Sequence, residues 1–349
     1  MHIDFNEHGE HVKVIHKQPA RHLPEGLLVN KLAPYTLAAL VVAGSDLPRF
    51  RSKDPRSLGQ MSKLSVGVSI GTVMLATPRV GLNMGQYTWN HMLHEQGIML
   101  PKSPAELPDV FVYLLRGKGK TRSPICFARF KAVRLLGHGW QGEPKWVSLT
   151  ADKGIAAVGE TTYPGSLLIR LGLGRSAMAP KLMWEAQIAE ALRNSRCYQL
   201  RVHLYQARNL PPADDDGSAD PYVVVRCCGQ KRTTATIRNT LNPMWYTTVT
   251  FDLELLPLHL APQVVIQIWD WDRFTPNELM ATLRLPMNSH FMLNRNRLTD
   301  PGAMEDPEWL PLSVNTVGGA SDGARVPELL LRKLPRVREP PPEPRGRMM

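Results

Sequence analysis

One offset, 163 residues, constrains this chain more than any other feature. YTLAALVVAGSDLP (Tyr35 to Pro48) aligns with YQLRVHLYQARNLP (Tyr198 to Pro211), and Tyr35, Leu37, Leu47 and Pro48 match Tyr198, Leu200, Leu210 and Pro211 at that spacing. WVSL (Trp146 to Leu149) and WLPL (Trp309 to Leu312) keep the offset of 163, and each is followed 18 residues after its Trp by a proline, Pro164 or Pro327. LLIR (Leu167 to Arg170) and LLLR (Leu329 to Arg332) come next. Short apolar runs bounded by Gly, Pro, Asn and Asp read as strands. A period shared by both ends of a stretch reads as two copies of one structural unit. The predicted fold is therefore mainly β: two antiparallel β-sandwich modules.

The middles do not match at that offset. Residues from about 49 to 108 read as an insertion into the first module, partly helical around Gly85 to Gln96. DVFVYLL (Asp109 to Leu115) looks like the counterpart of DPYVVV (Asp220 to Val225) with a single acid, and ICFARFKAVRLL (Ile125 to Leu136) is a strand pattern without a D-x-D. The expected organisation is a mobile arm at 1–30, a first sandwich at 31–175, a linker helix at 176–196, a second sandwich at 197–334 and a disordered Pro-rich basic tail at 335–349. In the linker, Pro180 suits a first helical position. Trp184, Ile188 and Leu192 fall on one apolar face of a helix packed between the sandwiches. The arm carries His2, His8, His11, His16 and His22 at spacings that match no ligand motif.

The second module holds the chemistry. Asp214, Asp215, Asp216 and Asp220 crowd into DDDGSADPYVVV, just before a β-branched run. Like charges this close repel unless a cation sits among them, and hard carboxylate oxygens suit Ca²⁺. The competing reading is a solvated acidic turn. VVIQIWDWD (Val264 to Asp272) ends in Asp270 and Asp272, which share one face of an extended chain. Glu278 follows. Two acidic loops, each at the end of a β-run, can converge on one cation cluster.

These stretches, with NTLNPMW (Asn239 to Trp245) and IWDWDRF, resemble a C2 domain. The resemblance implies an eight-stranded β-sandwich in which Ca²⁺ bridges two loops and lipid headgroups. It implies Asp214, Asp220, Asp270, Asp272 and Glu278 as ligands, with a glutamate where aspartate is usual. Asp215 and Asp216 add charge. Phe274 stands where such domains dip an apolar residue into lipid, beside Arg273, and Lys231, Arg232 and Arg238 are further lipid-binding candidates. Trp245 is expected in the core. The first module is expected to be C2-like without an ion site.

PDVFVYLLRGKGKTRSPICFARFKA (Pro108 to Ala132) and PGSLLIRLGLG (Pro164 to Gly174) resemble the FerB-type segment of ferlins, and YQLRVHLYQARNL resembles the opening of a ferlin C2 domain. That order implies a piece or short relative of a ferlin. The implied function is calcium-dependent phospholipid binding in membrane trafficking or fusion, with other trafficking proteins as further partners. The implied place is cytoplasmic, peripheral on the cytosolic face of membranes, full-length ferlins being tail-anchored. A calcium-insensitive scaffold for protein–protein interaction is the alternative.

Composition limits the rest. At 349 residues the chain is long enough for about two domains, and its net charge of +11 suits an acidic partner. Basic and aromatic residues are not interleaved on one strand face, which argues against nucleic acid. Four cysteines, Cys126, Cys197, Cys227 and Cys228, form no CxxC pair, which points to a reducing setting. No apolar run approaches the roughly 20 residues a spanning helix needs. Enzymatic motifs fail on inspection. GVSIG around Ser69 fits a nucleophile elbow but is followed by β-rich sequence, so a buried apolar segment is expected. GKGKT (Gly117 to Thr121) lacks the first glycine of a phosphate loop and reads as a basic hairpin turn. The chain is expected to bind rather than catalyse.

Overall fold

The computed structural model describes residues 31–50, 62–83, 86–119, 122–136, 140, 142–151, 164–179, 184, 188–189, 193–287, 308–314 and 327–332. The arm at 1–30 and the tail at 335–349 lie outside them. The chain divides into two compact units, Met1–Glu190 and Ala191–Met349.

In the first unit, β1 (Leu32–Ser45), β4 (Tyr87–Pro101), β7 (Lys145–Ser148) and β9 (Ser166–Arg175) form a sheet in the order β4-β1-β9-β7. The second sheet is β3-β2-β5-β6-β8, from β2 (Leu64–Ile70), β3 (Val73–Ala76), β5 (Val110–Arg116), β6 (Ser123–Phe130) and β8 (Thr150–Ala151). All pairings are antiparallel. A continuous apolar cluster, including Tyr35, Leu37, Val68, Tyr87, Leu93, Val112 and Leu173, fills this unit.

In the second unit, β10 (Arg196–Arg208), β13 (Met244–Leu255), β16 (Glu308–Pro311) and β18 (Glu328–Arg332) form the sheet β13-β10-β18-β16. Strands β11 (Pro221–Cys227), β12 (Gln230–Thr233), β14 (Val264–Asp270), β15 (Leu279–Leu285) and β17 (Ser313–Val314) form β12-β11-β14-β15-β17. Its core includes Leu204, Val223, Ile266, Phe251 and Leu331. Trp245 is half-buried against that core, as expected. Strand β14, central in its sheet, is buried along its whole length, which is why it reads as an apolar run rather than an alternation.

The two units share one topology: strand n of the first corresponds to strand n+9 of the second. The likeness extends to irregularities. The β1–β4 pairing slips between Val41 and Ala43, and the β10–β13 pairing between Leu204 and Gln206, positions that again stand 163 apart. Asp46 and Asn209, also 163 apart, both take left-handed backbone conformations, φ 55° and 58°.

Three expectations are corrected here. Residues 49–108 are not an insertion, because they supply β2, β3 and β4, the counterparts of β11, β12 and β13. The helix expected around Gly85 to Gln96 is not found among the described residues: from Tyr87 onward the chain is extended, in β4. Trp89 and Leu93 are both buried and four apart, which mimics a helical face. Tyr87, Trp89 and Leu93 share a strand face equally well, and left-handed Asn90 (φ 41°) lies where the β1–β4 register shifts. Finally, DVFVYLL corresponds to β14, not to DPYVVV. Asp109 therefore lies at the opposite end of the unit from the counterparts of the acidic loops, where it pairs with Arg129.

Trp184, Ile188 and Ala189 have helical backbone, and Trp184 and Ile188 are buried. Trp184 packs against residues of the first unit. Its ring lies 6.2 Å from that of Trp140, and Arg170 of β9 stacks over it at 4.1 Å. Gly172 of β9 makes room: a Cβ there would come within 3.0 Å of both Trp140 and Trp184. Ser69 lies inside β2 and is followed by a turn into β3, so no strand-to-helix elbow forms. RGKGK is the β5–β6 turn, with Gly117 and Gly119 at positive φ. All four cysteines are free thiols, and burial pushes the Cys126 thiol up to about 12.

Candidate metal centre

The loops β10–β11 (209–220), β12–β13 (234–243) and β14–β15 (271–278) gather at one end of the second unit. The first is folded by its own polar groups. Ala213 N–H and Asp214 N–H both donate to the Ser218 carbonyl, and Gly217 N–H donates to the Asp214 carbonyl at 3.0 Å. Gly217 sits at φ 81°, where side chains are disfavoured. Asp216 accepts from Ser218 N–H at 2.9 Å. Hydrogen bonds from the Ser218 side chain and backbone hold the Asp216 carboxyl below its ordinary value.

The first and third loops are tied at their feet. Pro221 stands opposite Asp270 in the β11–β14 ladder. Asp220 N–H donates to the Asp270 carboxylate at 2.6 Å, and Trp271 N–H donates to the Asp220 carbonyl at 3.1 Å. Asp270 N–H bonds the Glu278 carbonyl at 2.8 Å, closing the third loop. Inside that loop Asn277 accepts from Asp272 N–H at 3.1 Å and donates to the Tyr222 hydroxyl at 2.9 Å.

This lacing brings carboxylates from two loops together. One carboxylate oxygen from each of Asp214, Asp270 and Asp272 lies within 4.8 Å of the others. Asp270 is 1% exposed, and burial pushes its carboxyl up. The Asp220 N–H bond opposes this, while the charges of Asp214, Asp272 and Asp220 push it further up. Such a cluster costs stability when ionised unless a cation compensates it. Oxygens bound to one Ca²⁺ at 2.3–2.6 Å can lie up to about 5 Å apart. The three oxygens thus fit a shared hard cation, and no soft donor is among them.

The other expected ligands are placed differently. The Asp220 carboxylate accepts from Asn239 N–H at 2.9 Å and pairs with Arg238 at 3.1 Å. Its entry into a coordination shell would mean giving up Arg238. Glu278 is exposed and contributes its backbone carbonyl to the loop, and its carboxylate is outside the close cluster. Asp215 is exposed at the loop tip. Phe274 is 90% exposed at the tip of the third loop, with Arg273 stacked over it at 5.3 Å. Arg238 belongs to the rim and stacks over Trp271 at 4.6 Å. Lys231 and Arg232 do not belong to it. They sit on the edge strand β12, opposite Arg226 and Val225, well down the ladder from Pro221. Burial and the nearby Arg226 charge pull the Lys231 pKa down. Asn277 and Asn239 are positioning residues that sequence reasoning missed. An Asn within a tight acidic loop is the signal that was present.

Residues 198–302 match the C2 domain family; with the antiparallel sandwich and the acidic loops at one end, the second unit is a C2 domain. Mouse Fer-1-like protein 4 is 33% identical over 197 residues, covering 50% of this chain and 10% of that protein. Xenopus tropicalis myoferlin is 41% identical over 97 residues, covering 26% of this chain and 5% of that protein. The chain is thus similar to ferlins over half its length and carries a C2 domain, and it spans about a tenth or less of the length of these relatives. A solved calcium-bound pair of C2 domains from extended-synaptotagmin 2 aligns at 14% identity, covering 85% of this chain and 94% of that one, with a TM-score of 0.30.

Proposed function

We propose that the second unit binds anionic membrane surfaces when Ca²⁺ fills its acidic cup, and that the chain serves in membrane trafficking or fusion as a ferlin-type protein. The observation that carries this reading is the convergence of Asp214, Asp270 and Asp272, from two loops, to within 4.8 Å. Those three would hold the ion, with Asp220 and Glu278 as neighbours able to join. A bound Ca²⁺ supplies positive charge and open coordination positions for phosphate or carboxylate oxygens.

The residues of the chain account for the switch. Seven carboxylates, Asp214, Asp215, Asp216, Asp220, Asp270, Asp272 and Glu278, crowd the loops of this rim, against Arg238 and Arg273. An anionic leaflet repels that surface until its charge is compensated. Phe274 is then free to enter the interface, where an aromatic ring contributes apolar burial. Among the described residues no helix is long and apolar enough to cross a membrane. Peripheral attachment to a cytosolic membrane face is the corresponding mode. The chain would act by binding, not by catalysis.

Co-sedimentation with phosphatidylserine-containing vesicles tests the proposal. Wild type is expected to pellet with Ca²⁺ and to do so less in EGTA, and Asp270→Asn/Asp272→Asn is expected to lose that difference. Pelleting indifferent to both Ca²⁺ and the substitutions would leave the calcium-insensitive scaffold as the better reading.

A further inference from the structure

The shared topology lets the two rims be compared position by position. In the second unit Asp270, the last residue of β14, stands opposite Pro221, the first of β11. In the first unit Arg116, the last residue of β5, stands opposite Leu64, the first of β2. Arg116 therefore occupies the place of Asp270. Lys63, just before β2, occupies the place of Asp220. The two positions that lace the acidic cup are both cationic here.

The surroundings have the same sign. The described loop residues at this end of the first unit are 46–50, 62–63, 77–83, 86, 117–119 and 122. They include Arg49, Lys63, Arg79, Lys118 and Arg122, with Arg116 at the foot of the third loop, and among them a single acid, Asp46. The Asp46 carboxylate accepts from the neighbouring Ser45 hydroxyl at 2.8 Å. Arg49, Lys63 and Lys118 are exposed. Arg116 stacks over the Phe50 ring at 4.4 Å. Burial, with the Arg79 charge, pulls the Arg122 pKa down. In the second unit the corresponding loop cation, Arg238, meets Asp220. A surface with cations at the ends of several strands attracts anions.

We propose that this rim of the first unit is a second, calcium-independent site, which takes the phosphate groups of anionic phospholipids. The site goes beyond the acidic cup and does not depend on it. Lipid phosphate is favoured over single-stranded nucleic acid because no exposed large aromatic is found among the described residues of these loops, so bases have no stacking platform. A surface array of headgroups, by contrast, needs only cations spread over several loops.

The test uses the full chain carrying Asp270→Asn/Asp272→Asn, in EGTA, so that the acidic cup contributes nothing. This protein is expected to pellet with phosphatidylcholine–phosphatidylserine vesicles, not with phosphatidylcholine alone, and to release as salt is raised. Adding Lys63→Glu/Lys118→Glu, both exposed, should weaken partitioning by about tenfold or more. Adding Lys102→Glu/Lys131→Glu, exposed at the opposite end of the unit, makes the same change in net charge and should weaken it far less. Circular dichroism melts confirm that each variant folds. Failure to pellet, or equal losses from the two pairs, would overturn the proposal. So would full competition by inositol hexakisphosphate at concentrations equal to those of accessible lipid, which would indicate a pocket for a soluble phosphate, or tighter binding to a homopolymeric RNA than to vesicles.

Discussion

The two rims are built on one scaffold and carry opposite charge. Both close with the same ladder position, Pro221 opposite Asp270 in one unit and Leu64 opposite Arg116 in the other. In the second unit the loops converge on carboxylates, and the nearest cation, Arg238, is drawn onto Asp220. In the first the matching places are held by Arg116 and Lys63. The sandwich determines where loop residues meet, while the residues at a handful of strand ends determine which ion or headgroup is welcome there. On the reading proposed above, a rim of acids waits for a divalent cation, and a rim of bases has no such requirement.

The sharpest way to separate the two modes is the apolar tip, which the second rim has and the described part of the first lacks. Phe274→Ser should leave calorimetric Ca²⁺ binding in the absence of lipid unchanged, yet weaken Ca²⁺-dependent vesicle partitioning by about tenfold or more. A fully buried large apolar side chain contributes about 1.5–3 kcal/mol. An unchanged partition would mean that the acidic rim works by charge alone, like its counterpart.

A smaller effect concerns repulsion within the cup. In EDTA, Asp270→Asn should raise the melting midpoint of the second unit by roughly 2–4 °C, the shift that about 1 kcal/mol gives a unit of this size. The same substitution should abolish stabilisation by Ca²⁺. The pH dependence follows in sign. The Asp270 carboxyl lies above its ordinary value of 3.8, so between the two values the folded state binds more protons than the unfolded one. Wild-type stability in EDTA therefore falls as pH rises through that window and stays lower above it. Asp270→Asn should lack this component, which differential scanning calorimetry from acid to neutral pH would detect. No such repulsion relief is expected from Arg116→Gln at the corresponding place, since Arg116 is engaged with Phe50.

The smallest effect is expected at Arg238. It is exposed and its pair with Asp220 is screened, so the pair is worth about 0.2–1 kcal/mol. Arg238→Ala should tighten Ca²⁺ binding only slightly, by about one- to fivefold in calorimetry, because Asp220 loses its competing partner. Weaker Ca²⁺ binding would show that Arg238 instead holds Asp220 in place for the ion.

Much of this was readable before any coordinates. The D-x-D of Asp270 and Asp272 and the crowded loop after Leu210 carry a chemical signal of their own, and the strands of the second unit fall close to where apolar runs and turns put them. The middle of the first unit was hidden for a definite reason. Tyr35 and Tyr198 stand 163 apart, but Leu64 and Pro221 stand 157 apart, and Arg116 and Asp270 154. The longer loop after β1 shifts the register between the copies, so a search at one offset sees only the ends. Trp89 and Leu93, four apart, suit a helical face as well as a strand face, so spacing alone did not tell β4 from a helix. Within the site, the places of Asp220 and Glu278 could not be read because loop hydrogen bonds, not spacing along the chain, decide which carboxylates face the cup.

The lacing at the feet of the acidic loops has a kinetic consequence. Asp220 N–H, Trp271 N–H and Asn277 already hold both walls in position, so an incoming ion meets a receptor that needs little assembly. Its capture should be limited by encounter rather than by loop rearrangement, and its release by how strongly the carboxylates grip. If the proposed Ca²⁺ switch operates, a detector built this way would follow rapid transients instead of averaging over them.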